Sequence, residues 1–231
     1  MPPLCRAQPR RVRVRSSYTW CMEHTRQSNQ PDAPQGEHKS PVEIEVKFRV
    51  ADVNTLQQRL TALGFQQQTP RTFEHNLLFD TPDHSLRGTR SILRIRRYGD
   101  RWVLTHKCLP PDFDPAERLK HRLETETVIE DGMALATVFE RLGYVATFEY
   151  EKYRTEWTDG TGHCVIDETP IGLFAELEGS ESWIDRQCSA LRLAPHDLLT
   201  LSYGRLFEAW KEETGSAAAQ LTFAECGTSA G

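Results

Sequence analysis

The stretch Glu43-Ile44-Glu45-Val46-Lys47-Phe48-Arg49-Val50 puts a charge at every odd position and an apolar side chain at every even one. Period two is the mark of an extended strand, whose successive side chains point to opposite faces. A single strand of this kind is ordinarily the wet side of an antiparallel sheet. Here the pattern recurs along the chain. Arg94 and Arg96 alternate with Leu93 and Ile95, and Trp102-Val103-Leu104-Thr105-His106 runs into Lys107. Arg122, Glu124 and Glu126 share one face, as do Lys152 and Arg154. Val165-Ile166 leads to Asp167, and Glu176 and Glu178 follow Gly172. Two arrangements satisfy so many charged faces. If they point outward, the apolar faces form a closed core and leave helices little to cover. If they point inward, amphipathic helices must cover the aliphatic outside.

Such helices are present in the pattern. Asp52 is placed to cap a helix carrying Val53, Leu56, Leu60 and Leu63 at helical spacing, stopped by Gly64. Asp131 opens a second, with Met133, Leu135, Val138, Phe139 and Leu142 before Gly143. Two more are expected over 182–193 and 195–212. Aligning the two aspartates exposes an internal repeat, with Glu43-x-Glu45-x-Lys47 over Arg122-x-Glu124-x-Glu126. Strands are expected at 43–50, 73–80, 90–98 and 101–108, then at 122–130, 147–157, 162–168 and 173–179. Eight strands suit a barrel whose interior is just filled by side chains or one small ligand. The expected fold class is α+β: an antiparallel eight-stranded β-tunnel with helices packed outside, built from two β-α-β-β-β halves.

The remainder of the chain is simpler. Residues 1–41, with seven Lys/Arg against three Asp/Glu, read as a disordered basic tail in which Arg10–Arg15 is either a strand or a solvated patch. Met22 is an alternative start. The tunnel domain is expected over 42–212, and 213–231 as a flexible C-terminal tail. Residues 42–231 hold 21 basic and 30 acidic side chains, which disfavours nucleic-acid binding. Six scattered cysteines without a C-x-x-C pair speak against zinc and for a reduced, cytoplasmic protein. No apolar run approaches the roughly 18 residues of a membrane span. His75 reads as a hydrogen-bonded structural residue rather than a chemical one.

The charged faces carry the chemistry. Glu43, Glu45, Glu124, Glu126, Asp167, Glu176 and Glu178 repel one another if gathered in a low-dielectric interior. A hard divalent cation, Mg²⁺ or Mn²⁺, relieves that repulsion with oxygen ligands. Lys47, Arg94, Arg96, Lys107, Arg122, Lys152 and Arg154 in turn require a polyanion, and guanidinium forks match phosphate oxygens.

In this order, Glu43-x-Glu45-x-Lys47, Leu93-Arg-Ile-Arg96, Leu104-Thr-His-Lys107, Arg122-x-Glu124-x-Glu126, Lys152-x-Arg154, Asp167 and Gly172-x-Phe174-x-Glu176-x-Glu178 resemble the CYTH superfamily. These triphosphate tunnel metalloenzymes include class IV adenylyl cyclases, thiamine triphosphatases and inorganic triphosphatases, and the resemblance covers residues 42–210. It implies an antiparallel tunnel open at both ends, binding a triphosphate with Mg²⁺ or Mn²⁺. It implies Glu43, Glu45, Glu176 and Glu178 as metal ligands, with Asp167 and Glu126 as further candidates. It further implies that the seven bases above hold phosphates and that Glu43, Glu45, Lys47, Glu176 and Glu178 form the catalytic set. Cys108 after Lys107 and the long loop 110–120 depart from the pattern and bear on substrate choice.

The leading expectation is hydrolysis of the terminal phosphate of tripolyphosphate, ATP or thiamine triphosphate. The alternative is cyclisation of ATP to cyclic AMP and pyrophosphate. A non-catalytic polyphosphate or nucleotide sensor is the reading of a different class, and a homodimer is a plausible assembly.

Overall fold

The computed structural model describes residues 42–114 and 118–227, so the expected tail over 1–41 lies outside it. Among the described residues the first half supplies β1 (Val42–Arg49), α1 (Val53–Ala62), β2 (Gln66–Asp80), the single turn α2 (Ser85–Gly88), β3 (Ile92–Tyr98) and β4 (Arg101–Cys108). The second supplies β5 (Lys120–Ile129), α3 (Gly132–Arg141), β6 (Val145–Thr158), β7 (His163–Thr169) and β8 (Gly172–Glu178). Then come α4 (Glu181–Ala190), the two-residue β9 (Leu198–Leu199) and α5 (Tyr203–Thr214). The strands run β5-β4-β3-β2-β6-β7-β8-β1, and β1 also pairs with β5. Every neighbouring pair is antiparallel, so the sheet closes into an eight-stranded barrel.

The two Asp-capped helices form as the sequence dictates. Asp52 accepts from the Thr55 amide at 2.7 Å, and Asp131 accepts from the Met133 and Ala134 amides, each at 2.9 Å. Gly64 and Gly143 end them at φ of 89° and 92°, where a side chain would be strained.

The direction of the charged faces is decided by what covers the other side. Val46, Phe48, Cys164, Ile166, Ala175 and Leu177 are buried against Leu56 and Leu60 of α1, Trp183 and Ile184 of α4 and Leu191 at its C-terminal cap. On the opposite flank Phe79 and Ile95 pack with Ala136, Leu135 and Phe139 of α3. Each such side chain contributes about 1.5–3 kcal/mol by leaving water. The aliphatic faces are therefore outside under helices, and the charged faces line the barrel.

Three segments differ from expectation. The helix expected over 195–212 is a 3₁₀ turn at Pro195–Asp197, then β9, then α5 capped by Ser202. Leu198 and Leu199 leave helical geometry because they pair with Phe48 and Lys47 of β1. Strand β2 begins at Gln66 rather than 73, since its polar first half pairs with the long β6 through irregular register. The expected flexible tail over 213–231 is folded in its described part. Leu221 exchanges backbone hydrogen bonds with Glu149 and Glu151 of β6, each at 3.0 Å, and is fully buried. Phe223 rests against Tyr153 with ring centroids 5.6 Å apart. A small, polar composition hid one Leu and one Phe that suffice to anchor the strand-like return.

Helix α5 packs against the barrel as well. Tyr203, Leu206 and Phe207 pack with Tyr150, Phe174, Phe148 and Leu78 into an aromatic cluster against the barrel. The Tyr203 hydroxyl reaches Asp167 inside it. The aromatic cluster therefore lies at one end of the barrel.

Candidate active site

Within the barrel, nearly every acid faces a base. The innermost group is built by β2, β6, β7 and β8. Asp167, fully buried, accepts from Arg154 Nε at 2.7 Å and Nη2 at 2.6 Å, from Lys152 at 3.0 Å and from the Tyr203 hydroxyl at 2.6 Å. Arg154 also donates to Glu176 at 2.8 Å, and Lys47 pairs with the other Glu176 oxygen. Lys152 and Arg96 approach Glu74 at 3.4 Å and 3.9 Å. Burial opposes ionisation of Glu74 and Glu176, yet the surrounding cations hold both carboxyls well below the usual range. The ring of Tyr203 lies 4.4 Å from the Lys47 ammonium and 4.9 Å from that of Lys152.

A second group comes from β3, β4 and β5. Glu126 accepts from Thr105 at 2.7 Å and from Arg96 at 3.1 Å, with Arg94 at 3.5 Å. Arg94 also donates to the Tyr150 hydroxyl at 3.1 Å.

The third group is the acidic one. Glu45 stands opposite Glu178 across β1 and β8, and Glu43 lies two residues along β1. Lys107 pairs with Glu43 at 2.6 Å and with Glu124 at 3.1 Å, while Lys120 pairs with Glu45. Burial works against Glu45 as an anion, but Lys120, Lys47 and Lys107 bring its pKa to about 2. Glu178 has no such neighbour in excess: burial and the charges of Glu43 and Glu45 push it up to about 7. Burial likewise carries Glu124 up to about 7, with Glu43 and Glu126 adding to it against Lys107. Four oxygen-bearing side chains thus share one region whose negative charge is incompletely compensated. Among the described residues no three acidic, His or Cys groups already converge on one point, and two lysines engage three of the four. Arg122 faces Glu43 in the β1–β5 register and donates to the His121 carbonyl at 3.0 Å, and its buried Nε has no hydrogen-bond partner. Burial, with Arg90 nearby, lowers its pKa.

The structure brings Glu43, Glu45 and Glu178 together and sets Glu176 one pair further along with Lys47. Asp167, joined to Glu176 through Arg154, and Glu126 have their oxygens engaged by donors. Lys47, Arg94, Arg96, Lys107, Arg122, Lys152 and Arg154 all line the interior. The sequence pattern alone does not single out Glu74, Asn76 or Tyr203, and Lys120 lies outside the expected strand. Lys120 nevertheless continues the Arg122-Glu124-Glu126 parity by one step and is legible there. Glu74 and Asn76 share the parity of Asp80 in a strand without aliphatic alternation, and Tyr203 comes from a helix. His75 points away from the interior and bonds Glu149 at 2.7 Å, a structural role. No helix among the described residues is long and apolar enough to cross a membrane.

A closed eight-stranded barrel lined by opposed acids and bases defines a tunnel-type protein. The CYTH domain model matches residues 41–185, and the chain belongs to the CYTH family. It is 30% identical over 151 residues, 65% of its own length and 83% of the other's, to a Methanocaldococcus jannaschii protein provisionally named an adenylate cyclase. To the adenylate cyclase CyaB of Aeromonas hydrophila it is 29% identical over 136 residues, 58% of this chain and 67% of that one. Among solved structures, a Pyrococcus horikoshii protein superposes with a TM-score of 0.60 at 21% identity, covering 70% of this chain and 96% of that one. A Hippeastrum protein provisionally assigned as an adenylyl cyclase, and described as having a dominant triphosphatase activity, gives 0.54 at 23% identity over 72% and 95%.

Proposed function

We propose that the protein is a divalent-metal-dependent phosphohydrolase that removes the terminal phosphate of a triphosphate compound. The observation that carries this reading is the segregation of the interior: bases are spread through the tunnel, while Glu43, Glu45, Glu124 and Glu178 are massed in one region where two lysines compensate four carboxyls only in part. Their oxygen donors suit a hard cation, which Glu43, Glu45 and Glu178 would hold once Lys107 and Lys120 turned to the substrate. Bound Mg²⁺ or Mn²⁺ supplies charge neutralisation on phosphate oxygens.

The protein's own part is positioning. Lys107, Lys120 and Lys47 exchange carboxylate partners for phosphate oxygens of the entering chain, and Arg122 adds its guanidinium. Arg94 and Arg96, locked by Glu126, and Lys152 and Arg154, locked by Asp167, present fixed donors that need no reorganisation as charge moves in the transition state. Asp167 and Glu126, engaged on all sides by donors, act here as orienters of bases.

The second reading, cyclisation of ATP by attack of its 3′-hydroxyl on the α-phosphate, is favoured by the adenylate cyclase relatives. Both use the same cradle. The deciding experiment incubates the protein with tripolyphosphate, ATP and thiamine triphosphate, each with Mg²⁺ or Mn²⁺. Release of orthophosphate supports the hydrolase, and cyclic AMP with pyrophosphate replaces it with the cyclase. Neither product, despite triphosphate binding, leaves a sensor.

A further inference from the structure

We infer that Glu74 is a positioning residue: it ties two groups of tunnel bases together and sets the spacing at which they grip successive phosphates. The inference rests on the triphosphate reading above and deepens it. Strand β2 lies between β3 and β6 in the barrel. On one side β3 carries Arg94 and Arg96, held by Glu126. On the other β6 carries Lys152 and Arg154, held by Asp167. Glu74 is the register partner of Lys152 across β2 and β6. Its carboxylate reaches a base of each group, Lys152 at 3.4 Å and Arg96 at 3.9 Å.

Neither base depends on Glu74 for a counter-charge. Lys152 lies 3.0 Å from Asp167 and Arg96 lies 3.1 Å from Glu126, both closer than Glu74. Yet the Glu74 carboxyl is fully buried, where an anion is costly to keep. Burial opposes its ionisation, and Lys152, Arg154, Arg96 and Arg94 nonetheless hold it charged. The Asn76 amide donates to Oε1 at 3.0 Å, while Oε2 has no hydrogen-bond partner. An anion so placed between bases that are already neutralised serves their placement. For Arg96 the consequence is specific. Its Nη1 is turned to Glu74 and its Nη2 to Glu126, which leaves the buried, unpartnered Nε as a donor for a phosphate oxygen. Lys152, drawn between Asp167 and Glu74, keeps a third N–H in the same way. Donors fixed in advance lower the barrier, whereas one more anion weakens the hold on a polyanion before reaction. Glu74 therefore acts against binding and for turnover.

Glu74→Gln removes the charge and keeps the size, and Lys152 and Arg96 retain Asp167 and Glu126. Orthophosphate release with Mg²⁺ is measured on whichever of tripolyphosphate, ATP and thiamine triphosphate the wild type hydrolyses fastest. In the variant kcat is expected to fall about tenfold or more while KM does not rise. Calorimetric titration of tripolyphosphate in EDTA is expected to show binding severalfold tighter than in the wild type. A merely structural role lowers the unfolding midpoint and produces neither change. Wild-type kcat, a loss confined to KM, or weaker binding of tripolyphosphate overturns the inference. Should Glu74→Gln lose its cooperative unfolding transition, Glu74→Asp keeps the charge and shortens its reach. Its kcat is expected to fall severalfold at unchanged KM, and wild-type kcat in it overturns the inference. Calorimetry does not depend on turnover, so a wild type that releases no orthophosphate defeats the hydrolase reading alone.

Discussion

Asp167 illustrates how single residues are held in this interior. It has no exposure to solvent and satisfies four donors, so the cost of burying its charge is offset only while those donors remain. Tyr203→Phe deletes one of them and leaves the ring in place. Denaturant unfolding is expected to register a loss of about 1–3 kcal/mol. Catalysis has its own test at this scale. Glu45→Gln and Glu178→Gln keep side-chain size but remove an anion from the acidic region, and orthophosphate release at limiting metal is expected to fall to background in each. Wild-type rates in both variants would show that these carboxylates do not serve the reaction. Both glutamates are legible in the sequence, because each alternates with aliphatic neighbours along its own strand. Glu74 is not, because its partners Lys152 and Arg96 arrive from β6 and β3, and a one-dimensional pattern does not reveal who stands across the barrel.

Among the elements, the β6–β7 turn and the C-terminal return carry the clearest consequences. Asp159 accepts from the Thr161 and Gly162 amides and from the Trp183 indole, which fixes the turn to α4. Burial opposes its ionisation, yet these donors hold its pKa below the ordinary value. The stability it gives is therefore present above the unfolded aspartate pKa of about 3.9 and is lost as pH falls through the lower folded value. Asp159→Asn is expected to flatten the fall in urea stability below about pH 4; an unchanged acid profile would remove the turn from the account. Leu221→Ala opens a void against Tyr150 and its cluster and is expected to cost about 2–5 kcal/mol by the same measurement. Capped helices are readable from Asp52 and Asp131 because the cap chemistry is local. The break at Leu198–Leu199 is not, since those residues become extended only by pairing with β1.

At the scale of the whole molecule, the account turns on which way the sheet faces. Alternating charge leaves the inward and outward arrangements open, and helices α1, α3 and α4 covering the aliphatic faces decide it. The fold is legible in the sequence because period-two alternation and two capped helices are repeated in both halves. The aromatic cluster at one end of the barrel is not, because it depends on where α5 docks. An inward charged lining that binds a triphosphate makes a direct demand on Arg122, whose guanidinium donates to its neighbour's carbonyl and keeps an unpartnered Nε. Arg122→Met should therefore spare the fold and cost the ligand. Calorimetric titration of tripolyphosphate with Mg²⁺ into the wild type and this variant is predicted to show affinity at least tenfold weaker in the variant, with the unfolding midpoint unchanged. Equal affinities would contradict the assignment of the tunnel interior as the triphosphate site.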